Sequence, residues 1–247
     1  MKTDEKADLV EHLEELRFRI IRSLGYVGAG IAAGWFLYPY LYLILLAPIR
    51  KALQSASGKM FVSGPLEGFM TQFNVSVIAG VALAGPLVLW ELWRFVGPGL
   101  TDTERRAARP LLPLAGVLFA LGVALCYWMA PRMFIWLMGF TPPDAVAMFK
   151  LQEQVSLVAK MYLAFGLCFE LPLLLAFLLK VGIITPEFLR RRRKEAIACI
   201  FLLAAVVTPT PDAFNMSMLA VPLVVLYELT VWWARATARK TKHEEPV

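Results

Sequence analysis

The sequence predicts an all-α integral membrane protein with six transmembrane helices and both termini in the cytoplasm. Of its 247 residues, 59% are hydrophobic, whereas soluble domains contain about 45–50%. The mean hydropathy is +0.62, and the apolar residues are concentrated in long blocks. The distribution of lysine and arginine between these blocks gives the orientation of the helices.

Long apolar blocks predict the membrane spans. Three of them, 23–49, 68–90 and 110–131, contain no Asp, Glu, Lys or Arg, and an uncharged stretch of about 18 or more residues is typical of a transmembrane helix. Three further blocks follow, and two of them carry a single acid, Glu170 or Glu228. The predicted spans are about 23–47, 69–93, 110–131, 155–180, 195–209 and 213–234, all within one membrane domain of residues 1–247.

Basic residues fix the orientation. Of the 25 lysines and arginines, about three quarters lie before span 1, between spans 2 and 3, between spans 4 and 5, or in the tail 235–247, and positive loops face the cytoplasm. The net charge of +6 is therefore mainly a signal of topology. We interpret the run Arg190–Lys194 as an anchor at lipid headgroups rather than a nucleic-acid site.

The segments outside the membrane also carry local signals. Residues 1–22 predict an amphipathic helix along the cytoplasmic surface, since Leu9, Leu13, Leu16 and Ile20 recur at steps of three and four. The outer loop 50–67 predicts a structured cap with a short helix around Arg50–Ser55. Thr185-Pro186 predicts a helix start, with a capping residue followed by proline at the first helical position.

Spans 5 and 6 are expected to be short. Span 5 has an uncharged stretch of only Ala196–Pro211, and Pro209 and Pro211 reduce its helical part further. Span 6 begins after Asp212 and reaches Glu228 before its basic end. We expect the bilayer to thin beside both helices, with ordinary tilting and snorkelling as the alternative.

Several classes of function have no support in the sequence. The three cysteines have no paired spacing, so we expect neither a disulfide framework nor a metal site. No catalytic or nucleotide-binding motif is found, and no enzyme activity or cofactor is expected. A proton-coupled transporter, with Glu170 as proton site and Glu228 as relay partner, is the main alternative, although no repeated halves are evident. A purely structural membrane scaffold is another.

An ordered series of short motifs carries a resemblance to a known family. The motifs are His12-Leu13-Glu14-Glu15-Leu16-Arg17 with Arg19, Ala47-Pro48, Trp93-Arg94-Phe95-Val96-Gly97-Pro98-Gly99-Leu100, Glu104-Arg105-Arg106, Phe169-Glu170-Leu171-Pro172, Thr185-Pro186 with Leu189-Arg190, Pro211-Asp212, and Tyr227-Glu228. In order and spacing the sequence resembles TatC, the polytopic core subunit of the twin-arginine protein translocase. It departs from that family at Glu91, where glutamine is usual, at Thr101-Asp102-Thr103, and at Thr210, an apparent insertion.

The resemblance implies a curved, glove-like bundle of six helices in the bacterial cytoplasmic (inner) membrane. Proteins of this family bind the twin-arginine signal peptides of folded precursors and assemble with small single-span partners of the TatA and TatB types. Transport uses the proton gradient. The partners implied are therefore signal peptides, these small proteins, the lipid bilayer and further copies of the chain, with no nucleic acid.

The resemblance also implies site residues. For the signal peptide they are Glu15, Glu104, Leu16, Arg17, Arg19, Phe95 and Arg105; for a partner helix, Glu170; and in structural or functional loops, Pro48, Pro86 and Asp212. Spacing alone offers simpler roles for three of the acids. Glu15 can pair with Arg19 at i,i+4, Glu104 can form a capping box with Thr101, and Glu170 can be a protonated acid hydrogen-bonded within its own bundle.

Overall fold

The computed structural model describes residues 2–55, 58–96, 111–142, 148–209 and 212–243. Within these ranges the chain is almost entirely helical, with two short strands. The elements are α1 (Lys2–Ser55), β1 (Lys59–Phe61), α2 (Pro65–Val96), α3 (Leu111–Met138), β2 (Met148–Lys150), α4 (Leu151–Lys180), α5 (Pro186–Arg191), α6 (Arg193–Val207) and α7 (Ala213–His243).

The helices cross the membrane region six times. Five of them, α1, α2, α3, α4 and α7, are long and apolar enough to span a bilayer. Phe214, at the start of α7, stacks on Trp136 near the end of α3 with ring centroids 4.8 Å apart. Lys180, at the end of α4, lies 5.2 Å from the ring of Trp233 in the last part of α7. The short α6 must therefore return from the end of α4 to the start of α7, which makes it the sixth crossing. The end of the bundle that holds Lys180 is called the cytoplasmic end below, and the opposite one the outer end.

Helices α1 and α2 pack with their backbones in contact. A Cβ atom added to Gly30 would lie 2.5 Å from the carbonyl oxygen of Gly80, and one added to Gly34 would lie 2.8 Å from that of Ser76. Small residues spaced four apart allow such close approach between membrane helices, where packing rather than the hydrophobic effect drives association. The two helices are held along one antiparallel register.

A second close contact joins α3 and α4. A Cβ atom at Gly122 would lie 2.6 Å from the carbonyl oxygen of Phe165, and one at Gly166 would lie 2.5 Å from the ring of Phe119. Phe165 is itself fully buried in the main core, which also includes Ile49, Met133, Val155, Leu219 and Leu223. The core therefore draws on α1, α3, α4 and α7.

A small cap closes the outer end. Strands β1 and β2 pair in parallel, with Lys59 opposite Met148 and Phe61 opposite Lys150. The buried carboxylate of Glu67 accepts hydrogen bonds from the backbone N–H of Ser63 at 2.5 Å and of Gln152 at 3.0 Å. It thus satisfies an otherwise unpaired N–H in the first turn of α4. The outer loops on either side of the α2–α3 pair are joined through this cap.

An elbow at the cytoplasmic end is fixed to α7. Thr185 caps α5, as its spacing predicted, and its side-chain oxygen accepts from the N–H of Phe188 at 3.2 Å. Leu189 packs against Tyr227, whose hydroxyl donates to the carbonyl oxygen of Leu189 at 2.8 Å. Arg193, at the start of α6, forms an ion pair with Glu228 through both carboxylate oxygens.

Some predicted boundaries differ from the structure. The helix expected over 1–22 runs directly into the first span, and the short helix expected around Arg50–Ser55 is not separate, because the single helix α1 continues through Pro39 and Pro48. Pro48 and Pro86, expected in loops, lie inside α1 and α2, because packing against neighbouring helices stabilises proline within membrane helices. Helix α7 was expected to be too short, but its apolar part, Ala213–Ala236, has 24 residues and is long enough to cross.

The close contact of α1 with α2 gives a first prediction. The variant Gly30→Ala forces a methyl group against Gly80, and overpacking of this kind costs about 1–3 kcal/mol. We expect a lower thermal unfolding midpoint for the protein in lipid nanodiscs. Gly28→Ala is the matched control, because nothing lies within 4 Å of a Cβ atom at Gly28. Equal midpoints for the two variants would contradict the described packing.

The length of α6 gives a second prediction. Its 15 residues extend about 22 Å at 1.5 Å per residue, short of a hydrocarbon core of about 30 Å. We expect a thinned bilayer beside α6. Single cysteines at its exposed positions, such as Leu202 and Val206, should be shielded from a water-soluble maleimide over a shorter stretch than cysteines at exposed Leu167 and Leu174 of α4. Shielding of full-thickness length along α6 would refute thinning.

Candidate functional site

A cluster of charged and polar side chains joins α1 to α2 at the cytoplasmic end. The Nε atom of Arg19 donates to Glu15 at 3.1 Å, and its Nη2 atom contacts the same carboxylate. The Nη1 atom of Arg19 donates to Oε2 of Glu91 at 3.1 Å, and the hydroxyl of Tyr26 donates to Oε1 of Glu91 at 3.3 Å. One guanidinium therefore lies between two carboxylates.

The two carboxylates differ in their access to solvent. The side chain of Glu91 is 3% exposed and that of Arg19 is 13% exposed, whereas that of Glu15 is 36% exposed. The two acids thus share the guanidinium of Arg19. Glu15 is the most exposed of the three side chains.

An apolar groove of about 320 Å³ adjoins the cluster. Arg19 and Glu91 form its polar wall. The remaining lining includes Leu16, Ile20 and Leu24 of α1 and Val88, Leu92 and Phe95 of α2. Charged side chains beside an apolar surface suit a peptide segment in which basic and apolar residues are adjacent.

The structure unites part of the predicted signal-binding set. Leu16, Arg19 and Phe95 line the same groove, and Glu15 joins them through its ion pair with Arg19, the i,i+4 pair that spacing alone allowed. Arg17 is exposed on α1. Glu104 and Arg105 lie outside the described residues, so their place beside Glu15 stays a prediction.

Sequence reasoning missed the contacts of Glu91 and Tyr26. Glu91 stood out as an acid near the end of an apolar block and as a departure from the family, but only as an extra charge near the site. Its partner Arg19 is 72 residues away. Periodicity and local spacing do not encode such a contact; a shared register of α1 and α2 would have been needed to find it.

A second polar position lies within the membrane region. Glu170 of α4 lines an apolar cavity of about 310 Å³ together with Trp93 and Phe177. The rings of Trp93 and Phe177 pack edge to face, with their centroids 5.7 Å apart. Its Oε1 atom is buried and has no hydrogen-bond partner among the described residues. The internal hydrogen bond that spacing allowed for this oxygen is therefore not found in the described part of the chain.

The remaining predicted positions have structural partners. Glu228 pairs with Arg193 at the cytoplasmic elbow, so it is not placed as a relay partner for Glu170, whose cavity is otherwise lined by apolar side chains. Asp212 caps α7, since its Oδ1 atom accepts from the N–H of Asn215 at 2.9 Å. Asp212 thus lies just before a helix, as its predicted loop position requires.

Taken together, the fold and the two acidic positions define a multi-pass membrane protein with a charged cluster at its cytoplasmic end and a further acid within the membrane region. The model of the TatC family, described as Sec-independent protein translocase protein, matches residues 11–222. Among its relatives, the Sec-independent protein translocase protein TatC of Desulforapulum autotrophicum is 38% identical over 99% of this chain and 90% of its own length. That of Deinococcus radiodurans is 38% identical over 93% of this chain and 86% of its own length.

Solved structures give the same result. Two crystal structures of the twin-arginine translocase receptor TatC, one of them in the detergent DDM, superpose with TM-scores of 0.78 at 32% and 33% identity. They cover 90% and 92% of this chain, which in turn covers 99% of each. The chain belongs to the TatC family. It is a core subunit of the twin-arginine protein translocase and crosses the membrane several times.

Proposed function

We propose that this chain is the receptor that binds twin-arginine signal peptides of folded precursors at the cytoplasmic face of the bacterial inner membrane. Glu15 and Glu104 each pair with one of the two signal arginines. Small single-span proteins of the TatA and TatB types then assemble with the chain, and the precursor crosses the membrane at the expense of the proton gradient.

The observation that carries this proposal is the guanidinium already held between Glu15 and Glu91. It indicates that this surface suits planar cations, whose fork of donors matches a carboxylate in a way that lysine does not copy. The carboxylate of Glu15 is the more exposed of the two and is the one proposed to accept an arginine of the signal. Glu104 supplies a second acid, and two separate acids demand two arginines.

The adjoining groove supports a role for the apolar part of the signal. Leu16 of α1 and Phe95 of α2 both line this groove, together with Arg19 and Glu91. An apolar side chain that follows the arginines would be buried there. Arg19, and by the family resemblance Arg17 and Arg105, orient the carboxylates and repel misplaced cations.

Glu170 is proposed as a contact for a partner helix. A carboxylate within a membrane span costs about 2.5–3.5 kcal/mol on insertion scales, and Oε1 of Glu170 gains no hydrogen bond from the described residues. A polar side chain carried into the membrane by a TatA-type helix would satisfy it. The alternative of a proton-coupled transporter has less support, since Glu228 pairs with Arg193 instead.

The receptor role predicts losses of affinity in two variants. Glu15→Gln and Glu104→Gln each remove the charge that pairs with one signal arginine, and such a loss typically costs about 2–5 kcal/mol. We expect each variant, in nanodiscs, to bind a fluorescent twin-arginine peptide at least about tenfold more weakly.

The matched control is Glu195→Gln, which removes another exposed acid that pairs with an arginine on the same helical segment, Arg192. This variant should bind the peptide as the parent does. If both Glu15→Gln and Glu104→Gln are folded and keep the parental affinity, the receptor assignment is wrong.

The role of Glu170 predicts a different defect. Glu170→Ala should reduce crosslinking of a TatA-type partner to α4 and leave the affinity for the twin-arginine peptide intact. Glu153→Ala, at an exposed position near the outer end of the same helix, is the control and should crosslink normally. Undiminished crosslinking in Glu170→Ala would defeat the proposed contact.

A further inference from the structure

We propose that Glu91 is a positioning residue of the signal-binding site. It compensates the charge of Arg19, so that Glu15 can exchange Arg19 for an arginine of the signal peptide. This inference rests on the proposed function, because it explains how an acid that is already paired becomes available to a ligand.

The geometry separates the two contacts of Arg19. Glu15 accepts from Nε and Nη2, along one edge of the guanidinium, whereas Glu91 accepts from Nη1. The bond to Glu91 therefore does not depend on the contact with Glu15. Glu15 can turn to another guanidinium while Arg19 keeps one charged partner.

Burial makes that second partner necessary. The side chain of Arg19 is 13% exposed, and a buried charge that loses its only counter-ion is strongly destabilised. If Glu15 were the sole acid beside Arg19, its release to a ligand would leave such a charge behind. With Glu91 in place, the exchange transfers Glu15 from an internal cation to an external one at little loss.

The two acids are also held differently. Glu91 is almost fully buried, and its second oxygen accepts from the hydroxyl of Tyr26, two turns beyond Arg19 on α1. Glu15, by contrast, has about a third of its side chain exposed to solvent. Glu91 is thus the fixed counter-ion and Glu15 the exchangeable one.

The chemistry of glutamine at this position differs in one respect. A glutamine side chain has the same shape as glutamate and can accept a hydrogen bond from Arg19, but it carries no charge. Of these two acids, only Glu15 would then supply a counter-charge to Arg19. A site with Glu91 should therefore bind the signal more tightly than the same site with glutamine.

The test compares charge with shape at position 91. The full chain in nanodiscs is titrated with a fluorescent twin-arginine peptide as parent, Glu91→Gln, Glu91→Asp and the control Glu195→Gln, and the thermal unfolding of each is recorded. We expect Glu91→Gln to bind about tenfold more weakly, the loss of one charge-assisted interaction. Glu91→Asp, which is shorter but charged, should bind the peptide with an affinity closer to that of the parent. The control Glu195→Gln should have the affinity of the parent.

A purely structural role for Glu91 predicts the reverse order of the two single variants. Glu91→Asp, which shortens the side chain, would then be the more damaging one, and Glu91→Gln would keep the affinity of the parent. That result would overturn the inference.

Glu15→Gln in the same assay separates this inference from the receptor assignment. If Glu15→Gln loses affinity while Glu91→Gln keeps that of the parent, the receptor assignment stands and the positioning role of Glu91 is refuted. If Glu15→Gln itself binds as the parent does, the assignment of Glu15 fails, and the inference about Glu91 falls with it.

Discussion

The contact between Gly30 of α1 and Gly80 of α2 is the constraint on which the candidate site depends. With no side chain between the backbones there, the register of the two antiparallel helices is fixed. Arg19 and Glu91 each lie eleven residues from these glycines towards the cytoplasmic end (30 to 19, and 80 to 91). Eleven residues are close to three turns of about 3.6 residues, so both side chains return to the helix–helix face and meet. The charged cluster is thus a product of helix packing in the membrane.

Three acids in the bundle show how burial and pairing separate structural from functional roles. Glu67 satisfies backbone N–H groups at the outer cap, and Glu91 is held by Arg19 and Tyr26. Glu170 is different, since its buried Oε1 atom has no hydrogen bond from the described residues. An unsatisfied polar atom in an apolar setting is costly, which is why Glu170 is the acid proposed to receive a polar group from a partner helix.

The sequence predicted the features that local signals encode. Apolar blocks predicted the six crossings, and the cap at Thr185 was predicted from the proline that follows it. Features that depend on tertiary contacts were not readable. The continuity of α1 through Pro39 and Pro48 depends on neighbouring helices, and strands of three residues with a parallel, non-local pairing leave no periodic pattern. The family motifs predicted Glu15, Arg19 and Phe95 as site residues. The ion pair of Arg19 with Glu91 could not be predicted, because it depends on the packing of α1 on α2.

The outer cap has a consequence for the biogenesis of the protein. Its two strands come from separate loops. Glu67 accepts a hydrogen bond from the N–H of Gln152, which is synthesised 85 residues later. In a nascent chain that has exported only the first outer loop, β1 therefore lacks its partner β2, and Glu67 lacks the hydrogen bond from Gln152. The cap can therefore close only once both outer loops have reached the same side of the membrane.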